Sequence, residues 1–423
     1  MVALKSGNFA ISIKRRVEIY NFKKLQYRKK RDVFDNDLIK NSRCLLQKIN
    51  FDTVKIEKLI GYIFQFVDET LLCPIYSKII RIKLTNKDKS HEIIDCINLD
   101  YLELARKMIS LGDSMLVVLS MKGDEPNIKL YAKKCESLNS NINSYGLINK
   151  EMDSICKTNE IVNKINPNNP NEEANLPSSD INKENIIEIR NEEYNNIKNE
   201  SDFEEIITNI NEEEKIWESI FEIKKRNDKN NELISNENYL YEFIATSNAD
   251  IQSHKDKLIF YGVKKILDKY IVNKIKEING ISCSCELDAI CQIDKKYLCI
   301  GLQDYEKPNQ KNGFALIDIL NRELFQIIED GPISSLCYVK EKQILLATME
   351  ITKKNKYFSK VYKLVKNKEK NNQFVLKDIF SHKNKKTEVI TSIHPINISH
   401  LNKNIIFITS SQSSQLEIVN KEI

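Results

Sequence analysis

Seven times the chain repeats one phrase: an apolar run, a polar turn, then a second run that alternates apolar and polar side chains. It reads "NFAISIKRRVEIYN" at 8–21, "TLLCPIYSKIIRIKLTN" at 70–86 and "SMLVVLSMKGDEPNIKLYAKK" at 114–134. It returns, sometimes stretched, at 239–265, 297–324, 343–367 and 404–422. The first runs begin near 8, 71, 115, 239, 297, 343 and 404, at intervals of 63, 44, 124, 58, 46 and 61. Removing about 75 residues of inserted text brings the 124 close to the others. An all-β unit repeating every forty to sixty residues is the signature of a β-propeller rather than a helical solenoid. Further apolar runs precede several units, where a blade's innermost strand belongs: "LIGYIFQF", "RKMISLG", "SCELDAICQID", "PISSLCYV" and "EVITSIHPI". The expectation is an all-β propeller of about seven blades; two stacked β-sandwiches with similar strand lengths are the alternative.

The segments "VEIYNFKKL", "NIKLYAKK" and "ALIDILNREL" each end a third strand in a short apolar run followed by a polar turn. In this the chain resembles the WD40-repeat family, at the level of pattern and over nearly all of its length outside the insertion. No unit carries the Trp-Asp dipeptide or the Gly-His pair, and the paired glycines of kelch repeats are missing too. With ten glycines in all, few turns can use glycine for positive φ, and the abundant asparagine is expected to take that place.

Between blades three and four the composition changes. The text turns Asn- and Glu-rich ("NKINPNNPNEEANLPSSDINKEN") and too poor in apolar residues to offset the entropy of ordering. The domain reading is blades 1–3 over 1–134, an acidic low-complexity and mostly disordered insertion over 135–235, and blades 4–7 over 236–423. Residues 151–220 hold 18 acidic and 6 basic side chains, a net of −12; the whole chain is +5, so the remainder carries +17. Near the insertion's end "EEEKIWESIFEIKKR" contains the sole tryptophan, Trp217. Helical and strand periodicity fit it equally, and Trp217 with Phe221 is a candidate partner-docking element if it does not pack on the chain's own core.

A propeller normally closes by completing one blade from both ends of the chain. Seven residues ahead of the first unit are too few to supply both an inner strand for blade one and an outer strand for blade seven. One edge is therefore expected to stay open unless "VALK" pairs there or a partner supplies a strand.

Chemistry is sparse. The sequence has no phosphate-binding glycine loop, no dinucleotide fingerprint, no HExxH and no EF-hand loop, so neither cofactor nor enzymatic activity is expected. The five histidines, His91, His254, His382, His394 and His400, fall in no catalytic motif; His394 and His400 bracket "PINIS" ahead of the last strand pair, and a catalytic histidine would need contacts that the sequence does not show. Cys283, Cys285, Cys291 and Cys299 lack the paired spacing of a zinc site, and ten cysteines without a secretory signal read as reduced thiols. No apolar run is long enough for a membrane span, and a cytosolic or nuclear location is the default expectation. The basic content says more. Lys14, Arg15, Arg16, Lys23, Lys24, Arg28, Lys29, Lys30 and Arg31 crowd one unit, with a second group at Lys353, Lys354, Lys356 and Lys360. Such clusters attract nucleic acid or anionic lipid through a salt-screened field, or are simply solvated. The phosphoinositide-binding propellers' Phe-Arg-Arg-Gly motif is absent. Two functional expectations result: an interaction scaffold holding protein partners in a complex, and a polyanion binder (RNA or phosphoinositide) modulated by the acidic insertion.

Overall fold

The computed structural model describes residues 1–13, 16–21, 33–34, 45–51, 62–75, 77–84, 91–134, 186–188, 201–210, 217–223, 239–247, 256–266, 269–281, 289–302, 312–351, 356–367, 373–384, 390–397, 404–411 and 416–422. Their strands form seven sheets. Blade one contains β1 (Val2–Ala3), β2 (Phe9–Ile13), β3 (Arg16–Tyr20) and β5 (Leu45–Asn50), while β4 (Val33–Phe34) lies in the β3–β5 connection and belongs to another blade. Blade two is β6 (Phe64–Gln65), β7 (Leu71–Ile75), β8 (Lys78–Leu84) and β9 (His91–Asn98). Blade three runs β10 (Glu103–Leu111), β11 (Met115–Lys122), β12 (Glu125–Lys133) and, after the insertion with its short β13 (Ile186–Glu188), β14 (Phe203–Ile206). Blade four is β15 (Trp217–Ile223), β16 (Tyr241–Ser247), β17 (Lys257–Ile266) and β18 (Lys269–Asn279). Blade five is β19 (Ile290–Gln292), β20 (Tyr297–Leu302), β21 (Gly313–Asp318) and β22 (Glu323–Glu329). Blade six is β23 (Ile333–Val339), β24 (Ile344–Ile351), β25 (Lys356–Asn367) and β26 (Gln373–Lys383); blade seven is β27 (Ile390–Asn397), β28 (Asn404–Ser411) and β29 (Leu416–Glu422), completed by β4.

The repeated two-strand phrase is the second and third strand of every blade. These strands are apolar on both faces because each blade is sandwiched between two others. Alternation along β11 shows the division: Met115, Val117 and Leu119 pack on blade four, Leu116 and Val118 on blade two. Likewise Tyr297 and Cys299 of β20 face blade six, and Leu298, Ile300 and Leu302 face blade four. The described core thus divides into seven clusters, one per blade interface, and the cluster of Phe9, Ile11 and Tyr20 with Ile406, Ile408, Leu416 and Ile418 joins blade seven to blade one.

The ring closes, contrary to the expectation of an open edge. Val2–Ala3 is not the closing strand; it pairs with Phe9–Ala10 as the inner strand of its own blade, and the Lys5 N–H donates to the Gln65 amide oxygen of blade two at 2.7 Å. The closing strand is β4, from the connection between the third and fourth strands of blade one. It pairs antiparallel with β29 through Val33 opposite Val419 and Phe34 opposite Ile418.

The expected 135–235 insertion contains three described strands. β13 is discussed below; β14 is the outer strand of blade three and β15 the inner strand of blade four. Propeller structure therefore reaches into the stretch read as low-complexity, and the expectation of disorder for its remainder lies outside the described residues. The turn expectation also needs correction. Among the described residues the left-handed positions fall on Glu69, Leu102, Arg322, Gln343 and five glycines, and none on asparagine. Aspartate supplies much of the turn chemistry instead. Asp318 Oδ1 accepts from the Leu320 and Asn321 N–H groups, Asp294 Oδ1 from those of Lys296 and Tyr297, and Asp68 Oδ1 from that of Thr70.

Candidate interaction surface

Of the basic cluster in blade one, only Arg16 is described. Its guanidinium sits 2.7 Å from the buried carboxylate of Glu18, which also accepts from the Tyr20 hydroxyl. Arg16 is therefore engaged in a pair at the blade's surface. Lys14, Arg15, Lys23, Lys24, Arg28, Lys29, Lys30 and Arg31 lie outside the described residues, as do Lys353 and Lys354. Lys360, from the second basic group, lies 3.5 Å from Asp330 and 3.8 Å from Asp378.

Trp217 is not a docking residue. It begins an inner strand and is 2% exposed, packed edge-on against Tyr261 at 6.0 Å within the core between blades three and four. Phe221 is half-buried against the core shared by blades four and five. Register decided what periodicity could not: β15 pairs antiparallel with β16, from Trp217 opposite Ser247 to Ile223 opposite Glu242.

The insertion's base is fixed at the junction of blades two and three. The Lys134 N–H donates to the Asp202 carbonyl at 2.6 Å, so the chain leaves and returns at adjacent points. Arg81 of β8, 3% exposed at its side chain, contacts Asp95 at 2.7 Å, Asp202 at 3.0 Å and Asp68 at 3.2 Å, and lies 5.2 Å from the Phe203 ring centre. The Asp202 N–H donates to Asp95 Oδ2 at 3.0 Å. Burial works against the Arg81 cation, but Asp202, Asp95 and Asp68 outweigh it and raise its pKa. Burial likewise pushes Asp68 upward, but its hydrogen bonds from Thr70 and the nearby charges of Arg81 and Lys133 together more than reverse this, leaving its carboxyl below the usual range. A similar group lies along blade three: Lys129 is 2.9 Å from the fully buried Glu103, which also accepts from the Ser120 hydroxyl. None of these aspects was legible from sequence, because Arg81 and Asp202 stand 121 positions apart.

From that base the insertion reaches the outer edge of blade one. There β13 pairs parallel with β5, Ile186 opposite Lys48, Ile187 opposite Ile49 and Glu188 opposite Asn50, and blade one becomes the one five-stranded sheet among the described residues.

Among the described residues no group of histidine, cysteine, aspartate or glutamate has the arrangement of a metal site. Cys291 and Cys299 stand directly opposite each other on β19 and β20, both buried, while Cys283 and Cys285 lie outside the described residues. The hydrogen bond to Cys299 and burial hold the Cys291 thiol well above its ordinary pKa, which disfavours the thiolate a metal would need. His382 lies 2.9 Å from Glu417, linking the outer strand of blade six to blade seven. No helix among the described residues is long and apolar enough to cross a membrane.

Seven sheets of this strand order make the chain a seven-bladed β-propeller, with the closing strand drawn from a connection in blade one. No protein-family model and no curated protein matches the chain. Among solved structures, Sqt1 of Saccharomyces cerevisiae is similar at a TM-score of 0.44 and 7% identity, over 98% of this chain and 98% of that one. The fold assignment rests on the strand order itself.

Proposed function

We propose that this propeller is a non-enzymatic scaffold that holds protein partners in a multiprotein complex. The observation that carries the reading is the disposition of the blades. Both faces of the second and third strands are consumed by seven shared cores, which leaves the connections and outer strand edges for recognition. The buried charges Arg81, Glu103 and Glu242 are each engaged by an opposite charge in ion pairs within the ring, which supports a structural use for them. Co-purification of the tagged chain through washes of rising salt tests this: a short, salt-resistant set of proteins is expected, and its absence refutes the scaffold.

Polyanion binding is the second reading, favoured by one observation: the acidic insertion places β13 on the blade whose sequence carries the densest basic run. Deleting residues 151–200, which removes β13 and a net charge of −6 while sparing the blade strands, should then raise heparin affinity steeply at low salt, and unchanged affinity removes this reading.

A further inference from the structure

We propose that the outer edge of blade one, strand β5, is a docking site for an extended peptide segment, and that residues 186–188 of the insertion are its resident occupant. The proposal rests on the scaffold reading and names the surface and the partner chemistry.

The pairing of β13 with β5 is unlike every other strand pairing among the described residues. It is parallel where the rest are antiparallel, and it adds a fifth strand to a complete four-stranded blade. The occupant comes from the insertion of blade three, so it bypasses blade two to reach this edge. An outer strand that receives a distant segment in this way presents the unpaired row of N–H and C=O groups on which strand addition works. The cis strand is also a small one. It covers Lys48–Asn50, half of the six-residue β5, through three residue pairs. A three-pair strand is held by few hydrogen bonds and is open to exchange with a longer segment.

What the site accepts can be read from the occupant. Two β-branched aliphatic residues, Ile186 and Ile187, are followed by the acidic Glu188, and they stand opposite Lys48, Ile49 and Asn50. The remainder of the chain carries +17 against the −12 of residues 151–220, so an acidic setting is favoured in an incoming strand as well. The fitting partner is an extended segment with two consecutive β-branched residues in acidic surroundings, running parallel to β5. Because the insertion's base is fixed by Asp202 to Lys134 and Arg81, β13 acts as a tethered competitor. A short tether supplies an effective concentration on the order of millimolar. If the cis strand occupies the edge about 90% of the time, apparent affinity for a partner falls about tenfold.

The test uses the full chain and its Ile187→Pro variant, in which proline removes a backbone donor from β13 without touching a blade. The probe is a fluorescent peptide of sequence ENIIEIRNEEY, residues 184–194 with a net charge of −3, followed by anisotropy and by hydrogen exchange at residues 45–50. The variant should bind the peptide at least tenfold more tightly than the parent chain. Exchange at Lys48–Asn50 should rise in the variant and fall again when the peptide is added. Equal affinity for the two chains overturns the proposal. So does exchange at residues 45–50 that ignores both the substitution and the peptide, and so does a variant that gains heparin binding while the peptide fails. The two readings fail separately. Peptide binding without salt-resistant protein partners removes the scaffold and keeps the edge site. Salt-resistant partners indifferent to Ile187→Pro, with no peptide binding, do the reverse.

Discussion

Replacing Arg81 with methionine should destabilise the ring more than any surface charge change, and the structure gives the size of the effect. The guanidinium is 3% exposed and Asp95 4%, while Asp68 and Asp202 are 29% and 57% exposed. The outer two carboxylates can rehydrate, so their share is small. Asp95 cannot, and loss of its cation leaves a buried carboxylate with the Asp202 N–H as its main support. Breaking such a pair costs about 3–5 kcal/mol. With an unfolding entropy of ~2.1 cal/mol/K per residue, a ring of this length should lose roughly 5 °C in Tm. Hydrogen exchange should rise first at residues 201–206, where the insertion rejoins blade three. The paired variant Arg81→Met with Asp95→Leu should recover most of the loss, because Arg81 Nε and Asp95 Oδ1 are buried without hydrogen-bond partners in the native pair. The pH dependence has a definite sign. Asp68 has a depressed folded pKa, so its contribution is present above the unfolded value of about 4 and is lost as pH falls through the folded one. Arg81→Met should flatten that acid limb. A cost below about 1 kcal/mol for the single variant, or a double variant no better than the single, refutes the reasoning.

Three other outcomes are expected. The Gln326 side chain accepts from the Phe374 N–H at 2.8 Å and donates to the Phe374 carbonyl at 2.9 Å, so Gln326→Ala should cost about 1–3 kcal/mol in thermal or urea unfolding by stranding both groups. Gly112 has φ +59° and a Cβ there would lie 2.4 Å from the Tyr241 ring; Gly112→Ala should destabilise by about 1–3 kcal/mol, while a neutral result would mean that Tyr241 moves aside freely. Substituting Val33 and Phe34 together by proline should remove exchange protection at whichever of the Ile418 and Val419 N–H groups turns away from β28 towards β4, and leave blades two to five protected, as mass spectrometry of exchanged fragments will show.

The legible part of the fold was the part buried on both sides. "YLCIGL" and "SMLVVLS" are continuous apolar runs because one blade lies on each face, and the sequence displays that burial directly. Inner strands of two residues, such as Val2–Ala3 and Phe64–Gln65, have no pattern to display, yet the run "LIGYIFQF" still marked where one of them lies. Trp217 is a different case. Its segment satisfies both periods, and only the register with Tyr241–Ser247 makes it a strand. β4 and β13 were illegible for a stronger reason: two- and three-residue strands in polar text are specified by the edges they meet, not by their own composition. The charges of the candidate surface divide the same way. Net acidity of the insertion was countable, but its attachment through Asp202 depends on a residue of another blade.

The source of the closing strand also sets an order of events during synthesis. Val33 leaves the ribosome about 390 residues before Val419, its eventual neighbour. At ~5–20 residues per second that is a wait of about 20 to 80 s with no edge to join. The earlier blades can stack on one another as they appear, but the clasp cannot form until the last sheet exists. The closing step is thus performed by a segment of the first blade, and anything that captures residues 33–34 in the interval would keep the ring from shutting.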